Sequence, residues 1–271
     1  MVFTTVLHET YVIICVIGLK GTNLNMTLKI NNLTGGYSRI PVLKDISFEV
    51  GDGQLVGLIG LNGAGKSTTI NHVIGLLVPQ KGKITIDGNT LMDDPQNYKS
   101  KIAYIPELPV LYPELTLREH LELTMMAYGL ETTSAWQRAR VLLQTFRLEN
   151  KLDWFPAKFS KGMRQKVMIV CAFVTQAKLY VIDEPFLGLD PLATRDLLNL
   201  IAAEKKRGAG ILMSTHVLDT AQEYCDHFVL LHEGRVRAQG TLEQLRDLYG
   251  DLNASLTELY LGMTQDVNGN E

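Results

Sequence analysis

Apolar and polar positions along this chain follow two different periods. From Thr27 to Tyr37 and again over VLKDISFEV, residues 42–50, apolar side chains tend to alternate with polar ones. That is the pattern of half-buried strands. Gln54–Ile59 is nearly continuous in apolar residues, as is a strand covered on both faces. KITIDG, residues 83–88, reads as a further strand with a turn behind it, so the first ninety residues look like a strand-rich layer plus one helix. Between about Leu108 and Ser160 the period changes to that of a helix, with stripes at Leu117, Leu121 and Met125 and at Leu142, Leu143 and Phe146. Thr116-x-x-Glu119 and Ser134-x-x-Gln137 both fit a capping box at a helix start. Apolar strands return at 179–182, 210–213 and 228–231, with helices between them. Strand–helix alternation with buried strands implies a mostly parallel sheet covered by helices. From Thr241, with Gln244 three residues on, the tail is expected to be helical, and its polar end, 266–271, to fray.

The N-terminus does not fit this scheme. Tyr11–Leu19 is an apolar run of nine residues, too short to span a bilayer at about 20 residues per span, and no Lys or Arg precedes it. Residues 1–25 are expected to lie outside the working fold, either upstream of the true start at Met26 or as a membrane-surface anchor. The chain of 271 residues is 46% hydrophobic and 20% charged, which excludes a disordered chain. A net charge of −3 argues against a dominant nucleic-acid surface, so no nucleic-acid partner is expected. Three cysteines, Cys15, Cys171 and Cys225, form no CxxC pair and suit a reducing compartment.

Two segments carry chemistry. Gly60, Leu61, Asn62, Gly63, Ala64, Gly65, Lys66 and Ser67, followed by Thr68, match GxxxxGK[ST] between a buried strand and a helix. Glycines there let successive N–H groups form an anion nest, and the helix N-terminus adds partial positive charge. Lys66 is expected to reach the β- and γ-phosphates and Ser67 to bind Mg²⁺. LYVIDEP, residues 179–185, ends an apolar strand in Asp183, a candidate Mg²⁺ ligand, and in Glu184, a candidate to orient or deprotonate the attacking water.

Three further pieces follow in order: Phe159-Ser160-Lys161-Gly162-Met163, Leu187-Gly188-Leu189-Asp190, and His216 after the next strand. With them the chain resembles the ATP-binding subunit of an ATP-binding-cassette (ABC) transporter from about Met26 to Thr264. The fold implied is a P-loop NTPase (RecA-like) α/β core with a mostly parallel sheet, an antiparallel β layer and an inserted helical subdomain. Core residues would be 26–106 and 161–240, the helical block 107–160 and the helical tail 241–271. The resemblance implies ATP and Mg²⁺, and a homodimer packed head to tail around two ATP. Lys66, Glu184 and His216 would be catalytic. Ser160 and Gly162 would touch the γ-phosphate held by the other protomer, Asp190 would work across the interface, and Tyr37 would stack on adenine.

Two segments depart from the family pattern. The signature reads Phe-Ser-Lys-Gly-Met where Leu-Ser-Gly-Gly-Gln is usual, placing Lys161 near the γ-phosphate. Glu107 stands where Gln is usual, still able to reach Mg²⁺ but with added negative charge. FSKGM with RQKV, YIPE and the tail 256–264 resembles the Ecs-type branch of bacterial exporters. No apolar run after Met26 is long enough to span a membrane, so a separate transmembrane permease is implied, docked near Leu108–Met126. The chain would then be cytoplasmic and peripheral on the inner face of the membrane, driving export. The alternatives are a soluble ABC ATPase acting on nucleic acid or ribosomes, and a regulatory nucleotide-binding module.

Overall fold

The computed structural model describes residues 26–268, with side chains from Thr27 to Thr264. The expectations for residues 1–25, Cys15 and the last residues of the tail lie outside that range.

Two sheets are stacked. The smaller is antiparallel, with strand order β2-β1-β4, where β1 is Met26–Gly35, β2 Leu43–Gly51 and β4 Lys81–Ile86. The larger has the order β5-β6-β7-β3-β8-β9. Here β3 is Leu55–Ile59, β5 Ile102–Ile105, β6 Leu179–Asp183, β7 Gly210–Thr215, β8 His227–His232 and β9 Arg235–Gly240. Its first five strands are parallel and β9 closes the edge as an antiparallel hairpin partner. The strand-rich N-terminal region is therefore divided between sheets: β3 leaves the antiparallel layer and becomes a central strand of the parallel one.

Alternation along the parallel strands separates two cores. Leu179, Val181, Val56 and Leu58 face the antiparallel sheet and join Leu28, Phe48, Val50 and Ile86. Tyr180 and Ile182 point the other way, into a core shared with the helices. Those helices are α3 (Leu117–Ala127), α4 (Thr132–Phe146), α5 (Lys161–Val174) and α6 (Pro191–Arg207). They follow α1 (Lys66–Val73) and α2 (Pro95–Ser100) in the chain. Leu121, Met125, Leu143 and Phe146 are buried there, as their spacing predicts. A third core, around Ile59, Phe228 and Leu230, is closed by α7 (Leu218–Tyr224), α8 (Leu242–Tyr249) and α9 (Leu256–Asn268).

The helix starts follow local hydrogen bonding. Thr116 and Thr241 each form the full capping box. Ser134 does not start α4. Glu131 caps it instead, its carboxylate accepting from the N–H groups of Thr133 and Ser134 at 2.7 Å each. Those bonds pull the Glu131 carboxyl down to about 2. Among the described residues no helix is long and apolar enough to cross a membrane.

Candidate functional site

Strand order assembles the site. β6, β7 and β3 are adjacent and parallel, so their carboxyl ends lie side by side, with Asp183 opposite Ser214 and Ile59 opposite Thr215. In open α/β sheets this is the edge where ligands bind. Three stretches distant in sequence arrive there: the glycine-rich loop after β3, the acidic pair after β6 and His216 after β7.

A cavity of about 330 Å³ opens at this edge, lined by Asn62, Gly63, Lys66, Ser67, Glu107, Glu184, Leu187 and His216. The loop that forms one wall depends on glycine at two points. Gly65 has φ 111° and precedes the first turn of α1, a conformation costly for any side chain. A Cβ on Gly60 would sit 2.9 Å from the Leu231 carbonyl oxygen and 2.8 Å from Ala64 Cβ. Thr68 is buried under the loop, and the Ala64 carbonyl accepts from Gly234 N–H at 3.0 Å.

Lys66 and Glu184 are each only 7% exposed. Lys66 Nζ donates to the Gly60 carbonyl at 2.7 Å and stands 3.6 Å from Glu184 Oε1. His216 Nδ1 is 2.9 Å from the same oxygen, and the His216 N–H donates to Glu184 Oε2 at 3.4 Å. Glu184 has φ 46°, a left-handed conformation that a glutamate adopts at a cost of order 1–3 kcal/mol. Its N–H donates to both the carbonyl and the Oγ of Ser214, each at 3.2 Å. Ser214 Oγ in turn donates to Asp183. Thus one serine fixes both members of the acidic pair.

The remaining expected residues lie elsewhere on the chain. Asp183 is buried next to Glu184 and is not among the residues that line the cavity. Tyr37 is 66% exposed, and its hydroxyl accepts from Asn71 Nδ2 at 2.8 Å. Ser160 caps α5, accepting from the Met163 N–H at 3.2 Å. Gly162 packs on the next loop: a Cβ there would meet the Gly188 carbonyl oxygen at 2.7 Å. Asp190 caps α6 through Ala193 N–H at 2.8 Å and accepts from Lys166 Nζ at 2.7 Å. The lysine, then that cap, hold the Asp190 carboxyl below its ordinary range. Leu61 is not among the residues that line the cavity, and its N–H donates to Tyr260 Oη at 2.9 Å.

Three contributors were given no role from sequence: Ser214, Lys166 and Tyr260. Ser214 had a visible signal, a polar Ser-Thr pair ending an otherwise apolar strand. Lys166 and Tyr260 lie in the segments RQKV and 256–264 that carry the resemblance, but each meets its partner only through the tertiary fold.

The donor chemistry suits a nucleotide with Mg²⁺. Ser67 and Glu107 offer hard oxygen ligands beside the lysine. Among the described residues no three His, Cys, Asp or Glu side chains gather closely enough to hold a metal by themselves. Mg²⁺ needs no such cage, because it usually takes one or two carboxylates together with phosphate oxygens and water.

A glycine-rich loop between a central parallel strand and a helix, facing carboxylates at neighbouring strand ends, defines a P-loop nucleotide-hydrolysing domain. The ABC transporter family profile matches residues 43–187, more than half of the chain, and the chain belongs to that family. It is 58% identical over 244 residues to the ABC-type transporter ATP-binding protein EcsA of Bacillus subtilis (strain 168), covering 90% of this chain and 99% of the relative. It is 33% identical to the SkfA peptide export ATP-binding protein SkfE of the same organism, covering 82% and 89% of the two chains. A solved structure described as the ATP-binding subunit of an ABC transporter superposes with a TM-score of 0.86 at 57% identity, over 88% of this chain and 99% of that one. The chain is an ATP-binding subunit of an ABC transporter and an ATPase.

Proposed function

We propose that this subunit works as a pair of copies closing head to tail around two ATP, and that closure drives a separate transmembrane permease in the export direction. The observation that carries this reading is the convergence of Lys66, Ser67, Glu184 and His216 on one cavity, while Ser160 and Gly162 lie outside its lining. A second copy is needed to bring those two signature positions to a γ-phosphate. Export is supported by the relative SkfE, a peptide export ATP-binding protein.

The geometry of the cavity supports the following roles. Loop N–H groups and Lys66 bind the phosphates; an entering γ-phosphate displaces the contact between Lys66 and Glu184. Ser67, Asp183 and Glu107 would hold Mg²⁺, which neutralises charge developing on the phosphate oxygens. Glu184 accepts a proton from the water whose oxygen attacks the γ-phosphorus, while the bond to the β–γ bridging oxygen breaks and ADP leaves. His216, in contact with Glu184, holds that carboxylate and meets the γ-phosphate. Tyr37 presents an exposed ring for adenine. Asp190 and its Lys166 partner brace the loop that faces the second copy. Lys161 adds a positive charge beside that loop.

Residues 26–106 and 161–240 then act as the nucleotide core and 107–160 as the block that receives the permease. Leu108, Val110 and Tyr112 are exposed in sequence just after Glu107, a run of apolar surface suited to a partner helix. In this reading the subunit sits on the cytoplasmic face of the membrane, held there by its partner. Glu184→Gln tests the core of the reading. ATP binding should persist, and turnover should fall by about 10²–10⁴-fold. Wild-type turnover in that variant would remove Glu184 from the mechanism.

A further inference from the structure

The start of the glycine-rich loop is held by the far end of the chain. Tyr260 lies on α9, 199 residues after Leu61, and is 1% exposed. Its hydroxyl accepts from the Leu61 N–H at 2.9 Å and donates to the Leu231 carbonyl at 3.1 Å. That carbonyl is the one against which Gly60 closes so tightly that a Cβ would lie 2.9 Å away. One hydroxyl therefore ties Leu61, the second loop residue, to the end of β8, on the carbonyl that Gly60 approaches. Burial raises the hydroxyl pKa above its ordinary 10, so it stays protonated and keeps both bonds through the neutral range.

The helix that carries Tyr260 is itself anchored. Ser255 and Glu258 cap it reciprocally, through Ser255 N–H to Glu258 at 2.7 Å and Glu258 N–H to Ser255 Oγ at 3.2 Å. Leu256 N–H donates to Gln222 Oε1 on α7 at 2.6 Å. Leu259 and Met263 are buried beside Ile59, the last residue before the loop. Thus α9 also reaches α7, the helix that follows His216.

We propose that Tyr260 is a positioning residue for nucleotide binding, and that the C-terminal helix sets the resting geometry of the phosphate loop. This rests on the assignment of that loop as the ATP site. A buried N–H without a partner is costly, so loss of the hydroxyl leaves Leu61 free to turn toward another acceptor. The loop is then no longer pre-organised, and ATP has to order it on binding.

Tyr260→Phe keeps the ring and removes only the hydroxyl. Full-chain protein should bind ATP roughly five- to tenfold more weakly. Leu143→Ala, on α4 in the separate core shared with α5, should lower the melting temperature and leave the ATP Kd of the folded protein unchanged. Equal Kd values for wild type and Tyr260→Phe would overturn the proposal, as would an equal loss in both variants. Should Tyr260→Phe fold poorly, hydrogen exchange in the wild type decides. The Leu61 amide should exchange as slowly as core strands, and fast exchange sinks the idea. Lys66→Ala separates the two levels. Unchanged ATP binding there refutes the loop assignment itself; lost binding there with an unaffected Tyr260→Phe refutes only the role of Tyr260.

Discussion

Glu184 sits in a left-handed conformation, and three bonded neighbours account for its persistence: Ser214 at its N–H, Lys66 and His216 at its carboxylate. Strain of that kind survives where surroundings fix it. A second residue under tension is His72 on α1, buried at the base of the same helix that begins with Lys66. Its Nδ1 donates to the Thr68 carbonyl at 2.8 Å, while Nε2 is buried with no hydrogen-bond partner among the described residues and lies 2.4 Å from where a Cβ on Gly35 would be. Burial lowers its pKa from the ordinary 6.5, and the Thr68 bond recovers part of the shift. The native protein therefore binds a proton less readily than the unfolded chain. Above pH 6.5 both forms are neutral and no stability is lost. As the pH falls from 6.5 toward the depressed native value, the unfolded chain gains protons first and stability drops. Melting temperatures at pH 7.5 and 5.5 should show a larger acid loss in wild type than in His72→Gln. Equal losses would place the acid sensitivity in other groups.

At the scale of elements, α5 joins the signature to the fold. Ser160 caps it, Lys166 pairs with Asp190, and Gln165 donates to the Pro106 carbonyl at 3.4 Å, one residue before Glu107. Gly162 lets its first turn approach the Gly188 carbonyl. Helix propensity alone predicts that Gly162→Ala gains up to about 1 kcal/mol. The 2.7 Å approach opposes this, since overpacking costs about 1–3 kcal/mol. Urea unfolding should show a net loss of stability, and a gain would mean the loop gives way freely. The same scale explains what the sequence could and could not reveal. Thr116 and Thr241 were readable as helix starts because their caps are local. Ser134 was misread because Glu131, just upstream, offers two carboxylate oxygens and wins the same N–H groups. The continuous apolar run of β3 records burial on both faces, but not its partners β7 and β8, which lie 150 and more residues away.

For the molecule as a whole, the site is a product of strand order. Lys66, Glu184 and His216 were legible as motifs, yet only the adjacency of β6, β7 and β3 shows that the last two touch and that one serine serves both acidic residues. Tyr260 adds a third sequence region, the tail 256–264, whose contact with the loop only the tertiary fold reveals. Ser160 and Gly162 are outside the cavity lining in a single copy, so the account requires a second. The most direct test is the mass in solution, by sedimentation, of full-chain Glu184→Gln with and without saturating ATP and Mg²⁺. The account predicts a monomer that becomes a dimer only when ATP is present. ATP bound at full occupancy on a protein that stays monomeric would contradict it.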